Sequence, residues 1–147
     1  MADRLEGTVA LVTGASSGIG EATARELARL GAGVVVAARR KDRLDRLAGE
    51  IEADGGGVLA IELDVTDQAA VIAAVERAVA WRGRLDTVVN NAGVMLLGPA
   101  VGAPTDEWDR MISLNLNGLL YVAHAALPHL LSAAGGEPRG VADLVNI

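Results

Sequence analysis

Eight residues near the amino terminus, Thr13-Gly14-Ala15-Ser16-Ser17-Gly18-Ile19-Gly20, have types and spacing suited to holding a pyrophosphate. They stand between an apolar run, residues 9–12, and a helical pattern. Gly14 permits a sharp turn out of a strand, Gly18 lets backbone approach a diphosphate, and Gly20 lets the helix pack close to the sheet. Free N–H groups of the loop and the positive end of the helix then face the phosphates. Gly14, Ser16, Ser17, Gly18, Ile19 and Gly20 are therefore the candidate contacts. An ordinary glycine-rich turn is the plainer alternative, and the position after a buried first strand disfavours it. No Gly-Lys-Ser/Thr ending follows, which argues against a nucleoside-triphosphate loop.

A second cluster is Ala37-Ala38-Arg39-Arg40-Lys41, about 20 residues past the loop. Dinucleotide sites that take NAD commonly carry Asp or Glu here, accepting from the ribose 2′-hydroxyl. This chain has Ala38 instead, and Arg39 follows. A guanidinium there can take the 2′-phosphate of NADP, a charge-assisted contact worth roughly 1.5–3 kcal/mol, or about 10- to 150-fold in favour of NADP. A solvated basic helix start is the competing reading. Asp64-Val65 and Asn90-Asn91-Ala92-Gly93 each close an apolar run. Asp64 can accept from an adenine amino group or cap the next helix. Asn91, Ala92 and Gly93 read as a turn whose interest lies in where it falls.

Other polar residues carry less. Asn115 is a polar residue in an apolar helix, for which a structural hydrogen bond is the default. His124 and His129, five apart on a helix, fall on different faces and make no shared metal site. Asp106, Glu107 and Asp109 sit at a helix start, where negative charge suits the dipole, and they read as capping. No metal site is expected.

These residues need a scaffold. Apolar runs of strand length occur at residues 8–13, 33–38, 58–63, 85–90 and 141–147. Between the first four lie helical patterns. Ile19, Thr23, Leu27 and Leu30 share one face of the first, Leu44, Leu47, Ala48 and Ile51 repeat the pattern over residues 41–53, and Val71, Val75, Ala78 and Val79 do so after Thr66-Asp67, a plausible N-cap. Strand alternating with helix predicts an α/β fold, a doubly wound parallel sheet with right-handed crossovers, here reaching only its fifth strand. A long helix from Thr105 to about Leu131 is apolar on nearly every side from Met111 onward, which calls for two buried faces. One would lie on the sheet; the other would meet a partner subunit or more of the same chain.

Composition narrows the partners. With 51% hydrophobic residues, 2% aromatic and no Phe, the core must be Val, Leu, Ile and Ala. A net charge of −6 argues against nucleic acid or an anionic membrane surface, and the absence of cysteine excludes disulfides and thiol catalysis. The charged opening residues and short apolar runs point to a cytoplasmic protein that neither enters nor spans a membrane. The 147 residues read as one incomplete dinucleotide-binding domain.

In order and at these separations, the glycine loop, Asp64-Val65 and Asn90-Asn91-Ala92-Gly93 resemble the short-chain dehydrogenase/reductase family, in its main branch of roughly 250-residue enzymes. The likeness runs from about Leu5 to the end. The segments Ala37-Ala38-Arg39-Arg40 and residues 93–99 are further similar to the NADP-dependent clavulanic acid dehydrogenase type of bacterial enzyme. The resemblance implies a Rossmann fold, NADPH as cofactor, and hydride transfer between it and a small carbonyl or alcohol substrate. It implies cofactor contacts at Asp64, Val65, Asn91, Ala92 and Gly93, and a catalytic role for Asn115, whose helix kink would seat a relay water. It also implies a homo-oligomer, dimer or tetramer, through the helix between Met111 and Leu131.

The family's remaining catalytic groups, a Ser and a Tyr-x-x-x-Lys pair, are not in this sequence. Tyr121 is the single tyrosine and has Ala125 four residues on, while Lys41 is the single lysine and lies at the adenosine end. The family's Ser would fall just beyond Ile147. The intact protein is thus expected to be a reductase and the 147 residues inactive alone. A Rossmann methyltransferase is a competing reading, weakened by the missing acid at Ala38-Arg39. A non-catalytic dinucleotide sensor is another.

Overall fold

The computed structural model describes residues 5–147. Five strands form one parallel sheet: β1 (Val9–Thr13), β2 (Gly33–Ala38), β3 (Val58–Glu62), β4 (Thr87–Asn90) and β5 (Asp143–Asn146). Their order is β3-β2-β1-β4-β5, so the chain winds outward to one side of β1 and then to the other. The carboxyl ends of β1 and β4 therefore flank the switch point, where open α/β sheets bind their ligands. This is the expected doubly wound Rossmann arrangement.

Alternation within each strand divides the core in two. Leu11 and Val35 face one side with Val71, Val75, Val122 and Ala126, while Ala10, Val12, Val34 and Val36 face the other with Ala24, Leu44, Leu47 and Ile51. The first side is covered by α3 (Gln68–Arg82) and α5 (Gly118–Ala134), the second by α1 (Gly18–Arg29) and α2 (Lys41–Ala53). β1 and β2 are buried on both faces, which is why they read as unbroken apolar runs. α3 starts at Asp67, whose carboxylate accepts from Ala70 N at 3.0 Å. It stops at Gly83, which takes the left-handed conformation (φ 76°) and donates its N–H to Val79.

Several expectations change. On α1 the buried positions are Gly20 and Ala24, and Ile19 is 63% exposed, because the first turn projects beyond the sheet edge. The long helix is three pieces: α4 (Thr105–Met111), a π-helical segment (Ile112–Asn117) and α5. Only one face of α5 is buried, through Gly118, Val122, Ala126, Leu130 and Ala133. Its opposite face exposes Leu120, Leu127 and Leu131, continuing Ile112 and Leu116. Asp106 and Glu107 lie in the first turn of α4, but no side chain caps it; Pro104 precedes the helix, and Asp109 falls past the first turn. Those acids act on the helix dipole only. Asp67, not Asp64, caps α3.

At the opposite edge of the sheet, Asp86 is fully buried. It accepts from Val9 N at 2.9 Å and from Arg84 Nε and Nη2 at 2.8 and 2.6 Å. This pair fixes the start of β4 beside β1, so that both strands reach the ligand edge in register.

Candidate functional site

The site begins at Thr13, the last residue of β1 and 1% exposed. Its hydroxyl accepts from the backbone N–H groups of Asn91 and Ala92, both at 3.1 Å, and lies 3.4 Å from the Val89 carbonyl. In return, Asn91 Nδ2 donates to the carbonyls of Thr13 and Gly14, both at 3.3 Å. The exits of β1 and β4 are thereby stitched together across the switch point. Asn91 reaches the site chiefly as a brace for the glycine loop.

Close packing explains two of the three loop glycines. Gly14 has φ 64°, and a Cβ there would stand 2.8 Å from Ala92 Cα. A Cβ on Gly20 would meet the Gly14 carbonyl oxygen and Asn91 Nδ2, each at 2.5 Å. Gly18, with φ 58°, has open space where its Cβ would be, as a backbone that must admit a ligand requires. Ser17 precedes α1 in extended conformation without capping it. Its hydroxyl, with that of Ser16, instead accepts from Arg40 Nη2 at 3.0 Å. The amides of the first helical turn are left to an anion.

A cleft of about 320 Å³ opens over these strand ends. It is lined by Gly14, Ser16, Ser17 and Ile19 from the loop, Arg39 and Arg40 from the β2 exit, Asp64 and Val65 beyond β3, and Asn91, Ala92 and Gly93 beyond β4. Exposed Ile19 thus serves the cleft, not the core. Gly18, Gly20 and Asn115 do not line it. Ala37, Ala38, Leu63 and Leu114 do, and the sequence reading assigned none of these as contacts. The first three are strand ends whose facing depends on knowing where each strand stops; Leu114 arrives from the π-helical segment and has no local signal.

Charge in the cleft is arranged in opposition. Arg39 is exposed at the lip, and Arg40 is docked on the loop hydroxyls. Asp64 accepts from both the amide and the hydroxyl of Thr66, at 3.0 and 2.7 Å. These bonds, the backbone one foremost, hold its carboxyl below the usual carboxylate range, with a further pull from the Arg39 charge. Asp64 is therefore an ionised acceptor. The arrangement fits an adenosine diphosphate: amides and hydroxyls for phosphate, cations for further negative charge, and a carboxylate for an amino group.

Asn115 acts one layer away. Its Oδ1 accepts from Val94 N at 2.8 Å and its Nδ2 donates to Val94 O at 2.7 Å, a two-point clamp on the chain leaving β4. A Cβ on Gly93 would come within 3.1 Å of Asn115 Oδ1, a tight contact that would press on the clamp. The clamp coincides with the π-helical segment, an irregularity frequent at functional sites. His124 is exposed, while His129 meets Glu76 of α3 at 3.1 Å. Tyr121 packs against the core on the α3 side, and Lys41 pairs with Asp45 on α2 at 2.5 Å.

The profile of the short chain dehydrogenase family matches residues 8–138. The chain belongs to that family. Similar proteins include an uncharacterized oxidoreductase of Staphylococcus aureus, 42% identical over 136 residues, which are 92% of this chain and 58% of that protein. A 3-oxoacyl-[acyl-carrier-protein] reductase of Thermotoga maritima is 38% identical over 144 residues, 98% of this chain and 58% of the relative. The chain thus spans somewhat over half the length of these relatives. Among solved structures, a short-chain dehydrogenase/reductase of Serratia marcescens is similar with a TM-score of 0.82 and 41% identity, covering 86% of this chain and 52% of the other. A metagenomic short-chain oxidoreductase in complex with NADP has a TM-score of 0.86 and 38% identity, covering 97% and 62%. Among the described residues no helix is long and apolar enough to cross a membrane.

Proposed function

We propose that the cleft binds NADP(H), and that the protein to which these residues belong is an NADP-dependent reductase of small carbonyl compounds, or the corresponding alcohol dehydrogenase. The observation that carries the cofactor choice is the β2 exit. Ala38 stands where a carboxylate would favour NAD, Arg39 is exposed at the lip, and Arg40 is held against Ser16 and Ser17. Two guanidinium groups beside two hydroxyls suit a 2′-phosphate. The NADP complex of the metagenomic relative agrees with this reading.

The bound dinucleotide would supply or accept hydride. This chain's part is to hold it: the loop amides and Gly18 take the pyrophosphate, Asp64 and Val65 the adenine, and Asn91, Ala92 and Gly93 the wall between the β1 and β4 exits. Asn115 belongs to the same reading as the catalytic residue that fixes the β4 exit and seats a water in the helix irregularity. A dimer or tetramer through the exposed α5 face and a cytoplasmic location complete it. The finer likeness to clavulanic acid dehydrogenases rests on residues 37–40 and 93–99 alone.

For residues 1–147 as one incomplete domain the expectation differs. Neither Tyr121 nor Lys41 lines the cleft, and no Tyr-x-x-x-Lys pair is present, so this chain binds the cofactor without turnover. A rate of NADPH oxidation above background with a panel of carbonyls would contradict that. The cofactor assignment is tested by calorimetric titration of NADPH and NADH. NADPH should bind more tightly, with Arg39→Ala or Arg40→Ala each costing about 1.5–3 kcal/mol for NADPH and little for NADH. Equal affinities would overturn it.

A further inference from the structure

A second cavity, of about 730 Å³, lies at the opposite edge of the sheet from the cofactor cleft and is more than twice its size. The ends of α1 and α2, the turns that follow them and Arg82 of α3 enclose it. In a parallel α/β sheet this edge collects helix carboxyl termini, whose partial negative charge favours cations.

Arg82 closes α3, which packs on the other side of the sheet from α1 and α2. Its side chain reaches the cavity by running beneath the strand starts, past Gly33 and Gly57. A Cβ on Gly57 would collide with Arg82 Nη2, and one on Gly33 would stand 3.0 Å from Arg82 Nε. The guanidinium stacks on Trp81, 4.4 Å from the ring centroid. Stacking uses a face of the group and leaves its in-plane N–H donors available. Among the described residues none accepts a hydrogen bond from it.

The other charges around the cavity are of two kinds. Arg25 is engaged with Glu21 and Glu50, and Arg29 with Glu26. Glu6 and Asp54 are exposed, and among the described residues neither carboxylate has a hydrogen bond or ion pair. One cation and two anions thus stand uncompensated around a single cavity, in a chain of net charge −6. A plain phosphate would gain Arg82 but be opposed by two carboxylates and three helix termini. A bare diamine would leave Arg82 unanswered.

We propose that this cavity binds a basic amino acid, a molecule with one carboxylate and two cationic groups. The carboxylate lies on the Arg82 guanidinium, and the cationic groups face Glu6 and Asp54. The site is independent of the reductase reading, and its ligand touches neither the cofactor cleft nor the residues that line it.

The chain has two tryptophans, and Trp81 is the one beside the site. The ¹⁵N-labelled protein is titrated with L-lysine, with L-lysinamide, which lacks the carboxylate, with L-norleucine, which lacks the side-chain ammonium, and with inorganic phosphate. L-lysine should shift the Trp81 indole N–H and the Gly56 and Gly57 amides saturably, with Trp108 unmoved. The other three should bind about tenfold or more weakly, each having lost a charge-assisted contact. Arg82→Gln should lose lysine by a similar factor. So should Gly57→Ala, which pushes the guanidinium aside and keeps its charge. NADP⁺ affinity should be unchanged in Arg82→Gln, which separates loss of this site from loss of the fold. An unmoved Trp81, lysinamide or norleucine binding as tightly as lysine, phosphate binding more tightly, or either variant at parental affinity overturns the proposal.

Discussion

Replacing Thr13 with valine changes one hydroxyl to a methyl group at nearly constant volume. In the structure that hydroxyl is the acceptor for two backbone N–H groups, of Asn91 and Ala92, at a position 1% exposed. Valine offers neither an acceptor nor room for water beside it. An orphaned buried donor costs about 1–3 kcal/mol. Asn91 and Ala92 are themselves half-buried, so two of them together should cost about 2–4 kcal/mol. The contact to the Val89 carbonyl, at 3.4 Å, is too long to add much. Urea denaturation gives the value directly, as a lower midpoint at unchanged slope. Thr13→Ser keeps the hydroxyl and should recover more than half of the loss. NADPH affinity should fall with Thr13→Val as well, because the loop that cradles the pyrophosphate is stitched to β4 through this oxygen. A Thr13→Val protein within about 0.5 kcal/mol of the parent would refute the brace.

Other substitutions probe other joints. Gly118→Ala places a Cβ 2.6 Å from Val65 Cγ2 and 3.3 Å from the Val65 carbonyl, so overpacking should cost about 1–3 kcal/mol in urea denaturation and displace the adenine side of the cleft. Asp86→Ala strands Val9 N–H and leaves the Arg84 guanidinium with only its bond to the Glu137 carbonyl. Breaking a buried pair costs about 3–5 kcal/mol, and because the Arg84 side chain is 26% exposed the lower end is expected. Acid should weaken the fold through two carboxylates: Glu21, held below its ordinary range chiefly by the Arg25 hydrogen bond, and Asp64, held there by Thr66. Both folded values lie below the unfolded ones, so their stabilisation is present above about pH 4 and is lost as the pH falls through the folded values. Both keep contact with water, which makes the decline shallow; Glu21→Gln and Asp64→Asn should flatten it further, and an unchanged acid slope would contradict the assignment.

Much of this molecule is legible in its sequence because its first half is local. β1 to α3 follow the alternation of apolar runs and helical stripes, and the parallel order follows from that alternation. What was not legible depends on contacts far apart in the chain. Ile19 matched the helical stripe, yet it sits on the turn that overhangs the sheet, and no spacing rule says where a sheet edge falls. Arg39 and Arg40 are indistinguishable as neighbours; only the fold shows that one docks on Ser16 and Ser17 and the other stays at the lip. The break after Met111 is invisible because a π-helical segment keeps nearly the same apolar pattern. The Asn115 clamp on Val94 spans 21 residues and needs the β4 exit in place. Asp64 offered two roles in the sequence; its turn with Thr66 and the cap at Asp67 remove the capping one.

The most direct measurement is amide-resolved NMR of the ¹⁵N-labelled chain on titration with NADP⁺. The account predicts saturable shifts confined to the glycine loop from Gly14 to Gly20, to Arg39 and Arg40, to Asp64 and Val65, and to Asn91, Ala92 and Gly93. The amides around Arg84 and Asp86 at the opposite edge should stay in place. Shifts centred elsewhere, or none at cofactor concentrations that saturate other dehydrogenases, would contradict the claim that these strand ends form a dinucleotide site.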